Sequence, residues 1–179
     1  MEKKLYSRAK AFSVRSIAMM SLLIAMQVIF TRFLSINQWN MRIGFGFIPL
    51  VIAAVILGPI RVAIVAGIAD CIGAILFPSG PFFPGFTLTA VLMGLVFGLF
   101  LYKKQTIVRV VLAVAVNQLI LSLLLNTMWI SILYGTAFYK LVPTRLIQCA
   151  VIIPVQIIVS GLITKSTGVF LKYQARQFS

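Results

Sequence analysis

A chain of 179 residues in which 61% are hydrophobic and only 10% charged has too little polar surface to coat a water-soluble globule of its size. Sixteen Lys and Arg stand against two acids, Glu2 and Asp70; no basic and aromatic face recurs along a soluble element, which sets nucleic-acid binding aside. The length leaves room for about six bilayer crossings of roughly 20 residues each, and none for a separate soluble domain. Runs such as 22–30, 51–57 and 112–125 are nearly continuous in apolar residues, unlike the alternating strands of a barrel. The expected fold is an all-α integral membrane protein: one six-transmembrane-helix bundle over 1–179, with N- and C-termini cytoplasmic.

A basic leader with Lys3, Lys4, Arg8, Lys10 and Arg15 precedes span 1, predicted over 17–34. The apolar run is too long for a secretory signal and lacks a small-x-small cleavage site. Span 2, over 45–57, is short, and Gly58-Pro59 supplies a sharp turn into span 3, over 60–77. Pro-Ser-Gly-Pro-Phe-Phe-Pro-Gly at 78–85 is too rich in Pro and Gly to stay helical and forms a structured loop before span 4, over 86–102. A basic turn at 103–106 leads to span 5, over 108–133. Tyr134-Gly135 and Pro143 bracket a loop before span 6, over 144–164, and the tail is again basic.

Counting cations orients the bundle. With the N-terminus inside, twelve fall on the cytoplasmic side, and Arg32, Arg42, Lys140 and Arg145 remain outside, a bias that the positive-inside rule favours. The outer connections then share a composition. The first holds Trp39, Asn40, Arg42, Gly44 and Phe45; the second Phe82, Phe83, Phe86 and Thr87; the third, with its flanking span ends, Asn126, Trp129, Tyr134 and Arg145. Aromatic planes, amides and cations at one end of a small bundle suit a flat heteroaromatic ligand with negative charge. The plainer reading makes Trp39, Trp129 and Tyr134 interface belt residues, Phe82 and Phe83 loop filling, and Arg42 and Arg145 cations that snorkel to lipid phosphates.

Asp70, the one acid inside a predicted span, must face the bundle interior, because an unpaired carboxylate in lipid costs at least a few kcal/mol. It is either a clamp to Arg42, Arg145 or backbone donors, or a reader of adjacent ring N–H donors, or an ion relay. Cys71 and Cys149 lack CxxC spacing and the chain has no His, so neither a metal site nor a disulfide framework is indicated. Small residues recur at helical spacing: Ala18, Ser21 and Ala25 in span 1, Ala63, Gly67, Cys71 and Ala74 in span 3, and Gly94-x-x-x-Gly98 in span 4. Gly161-Leu-Ile-Thr-Lys-Ser resembles the end of a P-loop, but Thr164 replaces the second Gly, so ATP hydrolysis by this chain is not expected. The acid and base inventory is likewise too thin for a membrane enzyme.

Arg42-Ile-Gly-Phe-Gly-Phe-Ile-Pro49 with Gly58-Pro59, Asp70-Cys-Ile-Gly73, Gly80-Pro-Phe-Phe-Pro-Gly-Phe-Thr-Leu-Thr89, and Asn126-Thr-Met-Trp129 with Tyr134-Gly135 resemble the substrate-binding S components of energy-coupling-factor (ECF) vitamin transporters. The folate-specific, FolT-type branch is the most similar. The resemblance implies a multi-pass protein of the bacterial cell membrane that binds a vitamin near the outer face. Its implied partners are a transmembrane T component and two ATPase subunits that use ATP, with no cofactor of its own. It further implies Phe82, Phe83, Phe86 and Trp129 as stacking walls, with Phe45 and Tyr134 beside them. Asp70, Thr87 and Asn126 would meet the pterin edge, and Arg42 and Arg145 the glutamate carboxylates. Helix 1 of the family docks through an AxxxA face, where this chain offers Ala18, Ser21 and Ala25. The alternatives are an S component for another vitamin and a stand-alone ion-coupled transporter using Asp70.

Overall fold

The computed structural model of the chain describes residues 14–37, 42–78, 80–102 and 105–177. The leader cations Lys3, Lys4, Arg8 and Lys10 lie outside the described residues, as do Trp39, Asn40, Lys103 and Lys104. Apart from one short hairpin, the described fold is all-helical. The order is α1 (Val14–Arg32), β1 (Ser35–Asn37), β2 (Arg42–Gly44), α2 (Phe47–Leu57), α3 (Pro59–Leu76), α4 (Pro84–Leu101), α5 (Ile107–Tyr134) and α6 (Phe138–Gln177).

Among the described residues, four helices are long and apolar enough to cross a membrane: α3, α4, α5 and the Phe138–Thr167 part of α6. At 11 residues α2 is only about 16 Å long, too short to span hydrocarbon by itself. Its apolar side chains serve the core instead, with Leu50, Val51, Ala53, Ala54 and Val55 buried against Met20, Leu23, Val62, Val65, Phe97 and Val114. The perimeter is equally apolar. Ile60, Ile68 and Ile75 of α3, Leu112, Leu119 and Ile120 of α5, and Ile147, Val151 and Ile158 of α6 are exposed, whereas Gln27, Asn117, Gln118, Arg145, Gln148 and Gln156 are buried. Polar inside and apolar outside is the pattern that a hydrocarbon solvent selects.

The helix ends differ from the sequence expectation where proline is concerned. Pro84 and Gly85 open α4 rather than close a loop, because proline at the first helical position gives up only an N–H that has no intrahelical partner. Pro143 does not bracket a loop. Gly135 ends α5 in the left-handed conformation at φ 63°, and α6 starts at Phe138, so Pro143 lies in the second helical turn and costs one backbone bond. At the other end of the bundle Gly58, φ 85°, reverses the chain between α2 and α3, a backbone conformation that a Cβ would strain. The small residues of α3 and α4 pack these two helices together: a Cβ at Gly94 would stand 2.8 Å from the Val62 carbonyl oxygen, and one at Gly98 would collide with Pro59.

The first connection, expected as a loop, is an antiparallel hairpin pairing Ser35 with Gly44, Ile36 with Ile43 and Asn37 with Arg42. A Cβ on Gly44 would overlap Ser35, which fixes glycine there. The Ser35 hydroxyl donates to the Thr31 carbonyl, and Thr31 in turn donates to Gln27 O at 2.7 Å, so the hairpin is tied back to the last turns of α1.

Candidate functional site

The C-terminal ends of α1, α3 and α5 meet the N-terminal ends of α2, α4 and α6 at one end of the bundle, around a cavity of about 320 Å³. It penetrates well inside the bundle. Along α6 its lining runs from Arg145 to Gln156, about 16 Å of helix axis, which suits an elongated ligand.

Three kinds of chemistry line the cavity. Aromatic rings come from the start of α4: Phe83 and Phe86 are edge-to-face at 6.0 Å between centroids, with Phe82 exposed beside them. Charge comes from the Arg32–Asp70 pair. Arg32 Nη2 is 3.9 Å from Asp70 Oδ1, and the Thr87 hydroxyl donates to Asp70 Oδ2 at 2.9 Å, so α1 and α4 both hold the carboxylate of α3. Gly73 makes room for this arrangement, since a Cβ there would lie 2.6 Å from Arg32 Nε.

Uncharged amides supply the third kind. Asn117, Gln118, Gln148 and Gln156 line the interior part of the cavity, joined by Gln27 of α1. Asn117 is 2% exposed, yet neither atom of its amide has a protein partner, and the same holds for the side-chain oxygens of Gln27 and Gln156. Buried amides without partners are costly, so a cavity lined by several is built for a solute that completes their hydrogen bonds.

Of the residues singled out from the sequence, Asp70, Phe82, Phe83, Phe86, Asn126, Tyr134 and Arg145 line the cavity. Three lie behind or beside it. Thr87 is spent on Asp70; Trp129 packs on Phe83 with the rings tilted, 5.6 Å between centroids, and donates its indole N–H to Thr89 Oγ1 at 3.0 Å; Phe45 is 48% exposed and packs on Phe47. Arg42 belongs to β2, and its side chain lies outside the described residues. Asp70 does not take Arg145 as its partner: Arg145 Nη1 donates to the Ser122 carbonyl at 3.0 Å. Sequence reasoning missed Arg32 and the amide tier. Amide side chains within apolar spans, with Gln148 and Gln156 two turns apart, were the available signal, because a polar group in a span is expensive unless it faces inward.

On α1, Ala18, Ser21 and Ala25 form an exposed small-residue face away from the cavity, flanked by exposed Ile17, Leu22 and Ile29. Ser21 donates to Ile17 O at 3.0 Å, which ties its hydroxyl to its own helix.

Apolar helices around a cavity of aromatic, amide and charged side chains define a membrane protein that houses a solute. The chain belongs to the family described as ECF transporter, substrate-specific component, which it matches over residues 15–164. It is 42% identical over 141 residues to a folate transporter FolT of Clostridium novyi (strain NT), covering 78% of this chain and 82% of the relative. A folate transporter FolT of Leuconostoc mesenteroides subsp. mesenteroides is 30% identical over 153 residues, with 82% of both chains covered. Among solved structures it resembles FolT bound with folic acid, with TM-score 0.83 and 35% identity over 87% of this chain and 97% of that one. The S-component for biotin from an ECF-type ABC transporter shares the fold, with TM-score 0.67 at 17% identity over 89% of this chain and 92% of that one.

Proposed function

We propose that this chain is the folate-binding S subunit of an ECF transporter, taking folate from the extracellular side and delivering it inward with a T component and two ATPase subunits. The observation that carries the reading is the agreement between the chain's likeness to FolT bound with folic acid and the chemistry of its own cavity. Folate joins a flat pterin to an aminobenzoyl ring and a glutamate with two carboxylates. Phe82, Phe83 and Phe86 offer ring faces, Asp70, Asn126 and the interior amides offer hydrogen bonds to a pterin edge, and Arg32 and Arg42 supply positive charge, with Arg145 at the cavity wall bonded to the Ser122 carbonyl. Thr87 fixes Asp70, and Trp129 backs Phe83. Asp70, held by Arg32 and Thr87, reads as a clamp rather than an ion relay.

The protein is a single multi-pass domain of the bacterial plasma membrane. In this reading α1 and the short α2 complete a six-helix bundle, with both termini in the cytoplasm. It carries no cofactor of its own, and the ATPase subunits consume the ATP. Residues 161–166, the P-loop-like run, lie within α6, where backbone amides cannot wrap a phosphate. The exposed Ala18, Ser21 and Ala25 face supports docking of the T component on α1. Reconstitution tests the reading. Liposomes holding this chain with a T component and both ATPases should accumulate labelled folate only with ATP inside the compartment of the ATPases. Uptake by this chain alone, collapsing with an ion gradient, would overturn it.

A further inference from the structure

The middle of α5 is not an α-helix. After Ile107–Ala115 the chain widens into a π-helix over Val116–Leu125, whose i to i+5 pattern ends in a bond from the Asn126 N–H to Leu121 O, before α-helical geometry resumes over Asn126–Tyr134. A wide turn of this length is unusual and needs a cause. Two donors from α6 meet it. Arg145 Nη1 bonds the Ser122 carbonyl at 3.0 Å, and the Cys149 thiol lies 3.6 Å from the Gln118 carbonyl. Donors and acceptors are each one helical turn apart, so α6 grips two successive carbonyls of the widened segment.

The widening decides which side chains enter the cavity. At about 100° per residue an α-helix would place Asn126 about 180° around the axis from Asn117. With i to i+5 bonding and about 4.4 residues per turn, Asn117, Gln118, Ser122 and Asn126 fall within an arc of about 80°. All four line the cavity, while Leu119, Ile120 and Leu124 are exposed on the opposite side. We propose that Arg145 and Cys149 are positioning residues: they brace the π-helical register of α5, and that register, rather than the residue types alone, assembles the polar wall that recognises the ligand. Arg145 thus acts mainly through the Ser122 carbonyl, not through a carboxylate of the ligand.

The proposal rests on the folate reading for its binding arm and is independent of it in its exchange arm. Deleting Ile120, which is exposed and does not line the cavity, tightens the segment and should lower folate affinity about 100-fold or more in a protein that still purifies as a monodisperse species, whereas Ile120→Ala binds as wild type. Should the deletion fail to fold, Arg145 decides. Arg145→Met should weaken folate and its bis-amide, in which both glutamate carboxylates are capped, by the same factor of about 10 to 100. Arg145→Lys should recover most of the loss, since one donor to a carbonyl suffices and a forked guanidinium is not required. Amide hydrogen exchange across 116–126 should accelerate in Arg145→Met without ligand. Unchanged exchange, loss confined to uncapped folate, no recovery with Lys, or wild-type affinity in a folded Ile120 deletion would each overturn the proposal. A wild-type protein that binds no folate would instead defeat the functional reading, and the exchange arm would still decide the brace.

Discussion

Asp70 is held inside the bundle by Arg32 and Thr87, which reach it from two other helices. Truncating Arg32→Ala leaves that carboxylate with the Thr87 hydroxyl alone among these two partners, and should cost about 2–3 kcal/mol of unfolding free energy in detergent. In a double-mutant cycle Arg32→Ala with Asp70→Asn should cost less than the sum of the single changes, as expected for residues in contact. Full additivity would show that the two do not interact. The sequence made the inward placement and compensation of Asp70 legible, because a lone acid in an apolar span has no other stable arrangement. It did not reveal the partner. Arg32 reaches Asp70 only where Gly73 lacks a side chain, a fact of helix packing that residue types do not announce. Gly73→Ala should therefore displace the guanidinium and weaken ligand binding along with the pair.

At the scale of the elements, the first five expected apolar segments overlap α1 to α5 to within three residues at each end, whereas α6 starts six residues before and ends thirteen after the expected 144–164; Gly94-x-x-x-Gly98 is a packing face, here between α4 and α3. Gly98→Val should force these helices apart at Pro59 and cost about 3 kcal/mol, measured as thermal stability; an unchanged transition would contradict the contact. The exposed face of α1 makes a different prediction. Ala25→Leu adds bulk on a side that is exposed among the described residues, so it should leave folate affinity intact and reduce ATP-driven uptake with the partner subunits. Loss of both would move that residue into the fold itself. What the periodicity did not reveal has physical reasons. The hairpin at 35–44 depends on a cross-strand contact at a glycine, α6 begins before its proline because the first turns tolerate one, and the π-helical part of α5 depends on donors supplied by α6.

For the whole molecule, the apolar perimeter and polar interior are two sides of one constraint: lipid cannot satisfy Gln, Asn, Arg or Asp, so the sequence that spans it turns those residues inward and thereby builds a binding cavity. Under the proposed topology, the cation bias turns the cavity mouth to the outer face. In a variant with Cys71 and Cys149 replaced by Ser, a cysteine at Phe138 should react with a membrane-impermeant thiol reagent in intact cells, and one at Thr106 should not; the reverse would invert the topology. The central claim is folate recognition by this cavity. Calorimetric titration of the purified protein with folate, riboflavin, thiamin and biotin tests it most directly. The account predicts saturable binding of folate at one site per chain and none of the other three; an absence of folate binding, or tight binding of a different vitamin, would contradict it.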